Sequence, residues 1–593
     1  MENNKKIKGM KLIGARYYIS QGGFGKYSNS NGSARDHDSH GTHTSSIAAG
    51  IEVANASYFD LAQGTAKGGL PSARIAVYKA CTVDNCAGST ILKAIDDAVK
   101  DGVDIISISL GMELLVQADF LSDPIGIAAF HANQMGVMVV CSAGNSGPEQ
   151  YTVVNTAPWV VTVAASSIDR DFKSTLILGN NATFNGSSIT LSNLTISRKY
   201  PLAYAGDVAS EFTPPIEASN CYPGSLDPKK VVGKIVVCAS NYPSISRKIK
   251  MLVVQDAGAR GLLYISDIEK GVPFDSGAFP YTQVGQVDGS QILKYINSTK
   301  KPTATILSTV AVQRYKPAPV VADFSSRGPG ELTENILKPD IMAPGVAILA
   351  ANILESVPGQ DPVAKEISKF AIKSGTSMAC PHVTGAAAFI KSIHYKWTPS
   401  MIKSALMTTA TVADNMRRGL TNSSGGTANP HETGVGEISP LKAIDPGLVF
   451  PTTTEDYFHF LCHVGYTEKT LRSMSGTMFK CPKVSLDKLI SDINYPSISI
   501  GKLKRNHKKR VTRHVINVGS SPNSSYTATV SAPKGLRVNV FPKKIVFHKG
   551  SSTATFNVTF HGKQAKKGYN YGSLTWFDGL HNVRIVFAVN IEE

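Results

Sequence analysis

Residues 103–141 read VDIISISLGMELLVQADFLSDPIGIAAFHANQMGVMVVC. The apolar runs 103–110 and 137–141 have the length and composition of buried strands. Between them, residues 124–135 predict a helix that begins with proline and ends before Gly136. A strand, a helix and a second strand in this order predict two neighbouring parallel strands of an α/β sheet.

The residues before this stretch continue the alternation of strands and helices. Residues 74–80 (RIAVYKA) predict a further buried strand, and Ser89 is expected to cap a helix that ends at Gly102. Residues 10–19 (MKLIGARYYI) predict one more strand ahead of a polar loop. The sequence therefore predicts a parallel sheet flanked by helices.

Two short segments rich in small residues follow strands of this sheet. Because ligands of parallel sheets bind at the carboxyl ends of the strands, these segments are candidates to line an extended peptide. The candidate substrate-binding residues are Ser109, Leu110, Gly111, Ser142, Ala143 and Gly144. The next residue, Asn145, carries an amide that suits donation to a developing oxyanion. An ordinary Asn-Ser-Gly turn is the alternative interpretation.

A candidate nucleophile lies in residues 374–382, SGTSMACPH. Ser377 stands between Gly-Thr and a run of small residues that favours a closely packed helix. A hydroxyl at the amino terminus of such a helix is a suitable nucleophile if a base is nearby. A serine that merely caps the helix is the alternative.

A candidate base lies in residues 35–44, RDHDSHGTHT. Three histidines in this segment first suggest a metal site, but the spacing lacks the His-Glu-x-x-His pattern, and no metal is predicted. Gly41 favours a histidine at a helix start that packs close to another backbone, which makes His40 the candidate general base.

Four ordered motifs together resemble those of plant subtilisin-like serine proteases of the cucumisin type, the subtilases of peptidase family S8. They are residues 36–44 (DHDSHGTHT), 142–148 (SAGNSGP), 324–329 (FSSRGP) and 375–381 (GTSMACP). The resemblance implies a serine endopeptidase with Ser377 as nucleophile, His40 as general base and Asn145 as oxyanion donor. It implies polypeptide substrates and no cofactor.

The resemblance also implies a division of the chain. Residues 1–171 and 314–449 are expected to form a subtilisin-like catalytic domain, interrupted by a protease-associated insert over 172–313. A helical linker is expected over 450–480 and a fibronectin-III-like β-sandwich over 481–593. One departure lies in residues 434–440 (GVGEISP), where Glu437 stands at a position at which the family usually has histidine.

The carboxylate of the expected triad is missing from the sequence. It should precede the histidine at the end of a buried strand, but the only acidic residue before Arg35 is Glu2. Asp36 and Asp38 belong to the histidine motif and lie too close in sequence to orient His40.

Two interpretations follow from the missing acid. A complete chain would turn over about 10⁴-fold more slowly, nearly a pseudoenzyme. We favour an amino-terminal truncation of an active protease, because losing an internal strand would expose apolar faces and unpaired backbone groups. A signal peptide, an inhibitory propeptide and the Asp strand would then be encoded upstream.

Composition bears on the compartment and the partners. The chain has 593 residues, a formal net charge of +17 and nine Asn-x-Ser/Thr sequons. Three local cysteine pairs are conceivable, 81 with 86, 221 with 238 and 462 with 481, although the pairing is not fixed by the sequence. Sequons and cysteines together favour an extracellular, secreted protein of the apoplast or cell wall, although no signal peptide is visible.

The basic charge does not predict nucleic-acid binding, because no nucleic-acid motif accompanies it, and no membrane span is predicted. The one dense basic cluster, within residues 502–513, suggests a solvated β-ribbon or, less strongly, attraction to an acidic polymer such as cell-wall polysaccharide. A catalytically impaired glycoprotein that acts as a binding module is the alternative function, and the missing acid is its only support.

Overall fold

The computed structural model describes residues 11–18, 33–82, 86–111, 119–239, 245–353, 368–483, 490 and 492–593. Its first part alternates strands and helices in the predicted order. The elements are β1 (Leu12–Tyr17), α1 (His40–Ala49), β2 (Val53–Tyr58), β3 (Leu61–Ala66), β4 (Ile75–Lys79), α2 (Gly88–Asp101), β5 (Ile105–Ile108), α3 (Pro124–Gln134), β6 (Met138–Ser142) and β7 (Val161–Ser166).

Residues 170–313 form a sheet of their own. The elements are β8 (Arg170–Leu178), β9 (Thr183–Ser187), β10 (Ile189–Thr190), β11 (Tyr200–Tyr204), a 3₁₀ turn (Ala205–Val208), α4 (Pro215–Ser219), α5 (Pro228–Val231), β12 (Ile235–Ala239), α6 (Arg247–Asp256), β13 (Gly261–Ile265), β14 (Asp275–Gly277), β15 (Tyr281–Val284), α7 (Gln286–Ser298), β16 (Thr303–Ile306) and β17 (Val310–Gln313). Eight strands lie in the order β16–β11–β12–β13–β15–β9–β8–β17. Arg170 on β8 pairs with Gln313 on β17, so the chain enters and leaves this sheet side by side. The assignment of 172–313 as a protease-associated insert stays a prediction.

The chain then returns to the first sheet and continues through a mainly helical part. The elements are β18 (Ile341–Pro344), β19 (Ile348–Ala351), β20 (Phe370–Lys373), α8 (Thr376–Ile393), α9 (Pro399–Thr408), α10 (Pro430–Thr433), α11 (Pro440–Ala443), β21 (Leu448–Val449), α12 (Thr454–His463) and α13 (Glu468–Ser475). Thr398 caps α9 ahead of Pro399, because its side chain accepts a hydrogen bond from the Met401 amide.

The carboxyl-terminal part is a sandwich of two sheets. Its strands are β22 (Ser497–Lys504), β23 (Lys508–Asn517), β24 (Ser524–Ser531), β25 (Arg537–Phe541), β26 (Lys544–Phe547), β27 (Thr553–His561), β28 (Gly568–Phe577) and β29 (Asn582–Glu592). One sheet has the order β21–β23–β27–β25 and the other β22–β29–β28–β24–β26. Alternate residues of both sheets, such as Val558 and Trp576, are buried in one shared apolar core.

The parallel sheet predicted from residues 103–141 is confirmed. Strands β5, β6 and β7 run parallel, and β18 adds to the outer side of β7. Every residue of β6 and β7 is buried, so both faces of the sheet are covered. Helix α8 packs across all four strands and α3 packs against β6.

The predicted strand 74–80 lies at a break in the sheet. Strand β4 pairs in parallel with β1, and these two form a sheet separate from the four-stranded one. Among the described strands no ladder joins β4 to β5. Each residue of β4 is partly exposed, so its predicted burial is wrong. The exposure follows because one edge of β4 has no described neighbour to cover it.

The prediction that Ser89 caps the next helix is also wrong. Helix α2 begins at Gly88 after Ala87, with no side-chain cap, so Ser89 already lies inside the helix. At α3, in contrast, Asp123 precedes Pro124 and its carboxylate accepts a hydrogen bond from the Ile125 amide at 3.0 Å. A charged cap fits the partly positive end of a helix.

All three conceivable cysteine pairs form disulfides, Cys81–Cys86, Cys221–Cys238 and Cys462–Cys481. The two remaining cysteines, Cys141 and Cys380, are unpaired and buried. Local disulfides of this kind are characteristic of proteins from oxidising compartments. Within the described residues, no helix has both the length and the apolar composition needed to cross a bilayer.

A buried ionic cluster joins the parallel sheet to the sandwich. Asp340, just before β18, lies 2.7 Å from the Lys338 ammonium and 3.4 Å from that of Lys403. The hydroxyl of Tyr495, at the entrance to the sandwich, donates to the same carboxylate. Burial would raise the pKa of Asp340, but the two lysines hold it below its ordinary value. Burial lowers the pKa of Lys403 to about 7.

We predict that Asp340→Ala will destabilise the protein severely, because two buried ammonium groups lose their counter-charge. The expected loss is about 3–5 kcal/mol. The matched control is Asp96→Ala, which breaks an exposed pair with Lys100 and should cost less than about 1 kcal/mol. Urea unfolding followed by tryptophan fluorescence measures both. Equal midpoints for the two variants would refute a stabilising role for the cluster.

Candidate active site

Ser377 is the second residue of α8, a helix in contact with β5, β6, β7 and β18. Its hydroxyl donates a hydrogen bond to the Ser109 carbonyl at 3.2 Å, and the Ser109 hydroxyl donates back to the Ser377 carbonyl at 2.8 Å. This reciprocal pair fixes the start of α8 against the carboxyl end of β5. The predicted nucleophile and the predicted substrate segment therefore lie together.

Small residues bring α8 close to α1. A Cβ atom at Gly385 would lie 2.7 Å from the Ala48 carbonyl and 2.8 Å from the Cα atom of Gly69. These distances are too short for any larger side chain, so the predicted close packing of α8 is confirmed. The close backbone approach expected at Gly41 is not found. A Cβ atom at Gly41 would have the Asp36 carboxylate as its nearest neighbour, at 3.6 Å, which is an ordinary contact distance.

His40 is the first residue of α1 and faces a partly buried environment. Burial lowers the pKa of its imidazole, and the nearby Lys373 ammonium lowers it further. The charges of Asp38 and Asp36 act in the opposite direction, but the pKa remains below its ordinary value. The ring is therefore neutral near pH 7, as a proton acceptor must be.

The hydrogen bonds of the Asp36 carboxylate go to the start of the helix and not to the His40 imidazole. Its carboxylate accepts hydrogen bonds from the amides of Thr42 at 2.7 Å and of Asp38 and Ser39 at 2.9 Å. It thus caps α1 from outside the helix. Within the described part of the chain, no carboxylate forms an ion pair or hydrogen bond with His40.

His43 serves the packing of α1. It is fully buried, and its Nε2 atom lies 3.1 Å from the carbonyls of Ile348 and Ala371. Burial lowers its pKa to about 4, so it stays neutral. The described residues contain no cluster of His, Cys, Asp or Glu that could hold a metal ion.

Asn145 is positioned by Thr376, the residue before the nucleophile. Its Oδ1 atom accepts hydrogen bonds from the amide and the hydroxyl of Thr376, both at 2.9 Å. The Thr376 hydroxyl in turn accepts from the Gly144 amide at 3.2 Å. Because the oxygen of the Asn145 amide is held this way, its NH₂ group has a fixed direction beside the start of α8.

The candidate substrate segments differ in their free hydrogen-bonding capacity. Ala143 donates to the Val163 carbonyl and accepts from the Val154 amide. Gly144 uses its amide on Thr376 and its carbonyl on Ser326. Residues 142–144 are therefore committed to internal bonds, whereas Gly111 is exposed beyond the end of β5. Ser109 and Leu110 are partly exposed, but their carbonyls already accept hydrogen bonds from the Ser377 hydroxyl and the Asn155 amide.

One residue that positions the strand ends at the site was not predicted from the sequence. Asn155 donates from its amide to the carbonyls of Leu110, at 2.9 Å, and Ser142, at 2.8 Å. It thereby clamps the ends of β5 and β6 together. Its backbone has a positive φ of 56°, a conformation that asparagine adopts more readily than most residues. The sequence carries no pattern around it that indicates this role.

Two backbone hydrogen bonds connect Ser166, which lies beside the unusual Glu437, to the nucleophile loop. The Ser166 carbonyl accepts from the Gly345 amide at 2.8 Å, and the Gly345 carbonyl accepts from the Gly375 amide at 2.8 Å. The carboxyl group of Glu437 is buried beside the Ser166 hydroxyl. Burial raises the pKa of Glu437 to about 8, so the group is mostly protonated at neutral pH.

We predict that Glu437 makes the protein less stable as pH rises. The pKa of Glu437 is about 8 in the folded protein, against a reference value of 4.5 for the unfolded chain. Its contribution to stability is therefore fully present below pH 4.5 and is lost progressively as the pH rises to 8. Glu437→Gln should not lose stability over this pH range. At pH 9 its free energy of unfolding should exceed that of the parent by about 3 kcal/mol. Unfolding midpoints from pH 5 to 9 test this, with exposed Glu455→Gln as control. Identical pH profiles for parent and Glu437→Gln would contradict it.

Two family models match the chain. Residues 16–436 match the subtilase family, and residues 492–589 match the fibronectin type-III domain. The chain belongs to the subtilase family. It therefore has a subtilisin-like α/β domain of the serine protease type, whose substrates are polypeptides, followed by a fibronectin type-III domain.

Several proteins of Arabidopsis thaliana are similar to this subtilase over almost its whole length. The CO₂-response secreted protease is 44% identical over 593 residues, covering 98% of this chain and 75% of the relative. Subtilisin-like protease SBT5.1 is 42% identical, with coverages of 98% and 75%. Subtilisin-like protease SBT5.4 is 41% identical, with coverages of 98% and 74%.

Proposed function

We propose that this subtilase hydrolyses peptide bonds through an acyl-enzyme on Ser377. The observation that carries the proposal is the position of the Ser377 hydroxyl, at the start of a buried helix and against the carboxyl end of β5. His40 takes the Ser377 proton and returns it to the leaving amine, and the lowered pKa of His40 supports that role.

The oxyanion would be held by two donors, the Asn145 side-chain amide and the Ser377 backbone amide. The fixed orientation of Asn145 on Thr376 supports this assignment, because a preorganised donor needs no rearrangement as charge develops. An extended substrate would lie along Ser109–Gly111, with Ser142, Ala143 and Gly144 forming the adjoining wall.

Full turnover also needs a carboxylate to hold the His40 tautomer. Among the described strands, β4 and β5 each have one edge without a partner, and these edges suit a further parallel strand that ends in such a group. Lys79, the last residue of β4, donates from its ammonium to the Arg35 carbonyl at 2.6 Å. The carboxyl end of this part of the sheet therefore lies beside the segment that leads into His40, which is where the carboxylate is required.

We predict that an amino-terminal extension bearing the acid strand will raise casein cleavage by about 10⁴-fold over the present chain. Both forms are treated with a fluorophosphonate, which labels an activated serine, and each is compared with its Ser377→Ala variant. If the extended form neither labels nor cleaves, the peptidase proposal fails. The alternative, a glycoprotein that only binds, would then be favoured, since the missing carboxylate is the observation that supports it.

We predict that Asn145→Ala will reduce kcat by about 10²–10³-fold with little change in KM, because the donor acts only as the oxyanion forms. The measurement uses a peptide substrate and the active, extended form. Asn133→Ala on α3 is the control for loss of an asparagine elsewhere. A variant that raises KM alone would show that Asn145 binds substrate and does not stabilise the oxyanion.

We further propose that the protein acts outside the cell, in the apoplast or cell wall. Three disulfides and nine sequons support an oxidising, secretory setting. The sheet of residues 170–313 would be the protease-associated insert and would influence access of substrates.

A further inference from the structure

The positive charge of the chain is concentrated in the sandwich. Residues 497–593 contain sixteen Lys and Arg against three Asp and Glu, whereas the other 496 residues contain 45 against 41. About one sixth of the chain therefore carries most of the net charge of +17. Neither catalysis nor the packing of the sandwich requires this imbalance, and self-repulsion within a small domain opposes folding.

Some of these basic residues lie side by side on neighbouring strands, on one outer face of the sandwich. Strands β23, β27 and β25 are neighbours, and Lys508 pairs with His561, which pairs with Arg537. The next outward row is Arg510, Thr559 and Asn539. The alternate residues of these strands, such as Val511, Val558 and Val540, are buried in the core. The outward position of the two rows thus follows from the pleat of the sheet.

The spacing of the charges follows from the sheet geometry. Lys508 and Arg537 are two strands apart, about 10 Å, and the second row lies about 7 Å from the first. A shallow pocket of about 220 Å³ is lined by Lys508, Arg537, Asn539, Thr559 and His561. The outward residues of these three strands include no Asp or Glu. Among the described residues, no ion pair joins Lys508, Arg510 or Arg537 to a carboxylate.

An exposed aromatic ring lies at the other end of the same face. Phe541 pairs with Asn557 on β27 and is 74% exposed. Asn557 begins a sequon, but it is four residues from His561, or about 13 Å along the strand. A glycan at Asn557 would lie beside Phe541, whereas the row of Lys508, His561 and Arg537 is at the other end of the face.

We propose that this outer face of the sandwich binds an acidic polysaccharide whose charges are sugar carboxylates. Lys508, Arg510 and Arg537 pair with carboxylates along the polymer. The Asn539 amide and the Thr559 hydroxyl bond sugar hydroxyls, and the Phe541 ring packs on the apolar face of a sugar. This binding goes beyond the proposed peptidase activity and does not depend on it.

Other polyanions fit the face less well. Single-stranded nucleic acid is held by several aromatic platforms along a basic groove, whereas Phe541 is the one Phe, Tyr or Trp among the outward residues of β23, β27 and β25. A membrane surface needs an apolar face that can enter the headgroups, and these strands present polar side chains. The three disulfides also favour a compartment outside the cytosol, where carboxylated polysaccharides are abundant polyanions.

The test measures binding of the full chain to immobilised polygalacturonate, with a fully methyl-esterified polygalacturonan as the uncharged comparison. Lys508→Gln with Arg537→Gln should weaken binding about five- to tenfold, since two exposed charge pairs are lost. Phe541→Ser should weaken it about threefold at constant charge. Binding should fall steeply as salt rises.

The matched control is Lys502→Gln with Lys504→Gln, which removes the same charge from exposed positions on β22 in the other sheet. It should change the Kd less than about twofold. Equal weakening by both pairs of substitutions would show that bulk charge alone binds, and would overturn the proposal. Equal binding of the methyl ester, or tighter binding of single-stranded DNA of matched charge, would also overturn it. Thermal melting confirms that each variant is folded.

Discussion

The arrangement of the site depends on how closely α8 approaches its neighbours. Gly385 allows α8 to touch the backbone of Ala48 and Gly69, and the reciprocal bonds of Ser377 with Ser109 fix its first turn on β5. A side chain at Gly385 would push α8 away from α1, which begins with His40. The separation of nucleophile and base is thus set by backbone contact about two turns further along the helix.

Electrostatics adds a second constraint, because several ionisable groups are buried near this framework. His40 and His43 are kept neutral by burial, and Glu437 is kept protonated for the same reason. Asp340 is the exception, since two lysines keep it charged. The charged cluster around Asp340 lies where the sheet meets the sandwich, so these buried charges are placed at a junction between domains.

Elements with a strong local pattern were predictable from the sequence. The strands around 103–110 and 137–141, the cap of α9 and the start of α1 at His40 follow from periodicity, proline and capping residues. The clamp formed by Asn155, the packing partner of Gly385 and the exposure of β4 were not predictable. Each depends on which distant segments become neighbours, and Asn155 reaches back 45 positions to the Leu110 carbonyl. The family motifs indicate candidate reacting residues but not the contacts that hold them.

The pairing of Arg170 with Gln313 has a consequence for how such a chain can change over time. Because the sheet of residues 170–313 begins and ends on adjacent strands, its two connections to the rest of the protein lie side by side. Segments of very different length can span such a short gap, so the module can be enlarged on its outer side without moving the strands that flank it. Phe172, Ile189 and Val272 of the module are buried in the same core as β6 and β7, so its inner side is tied to the catalytic sheet.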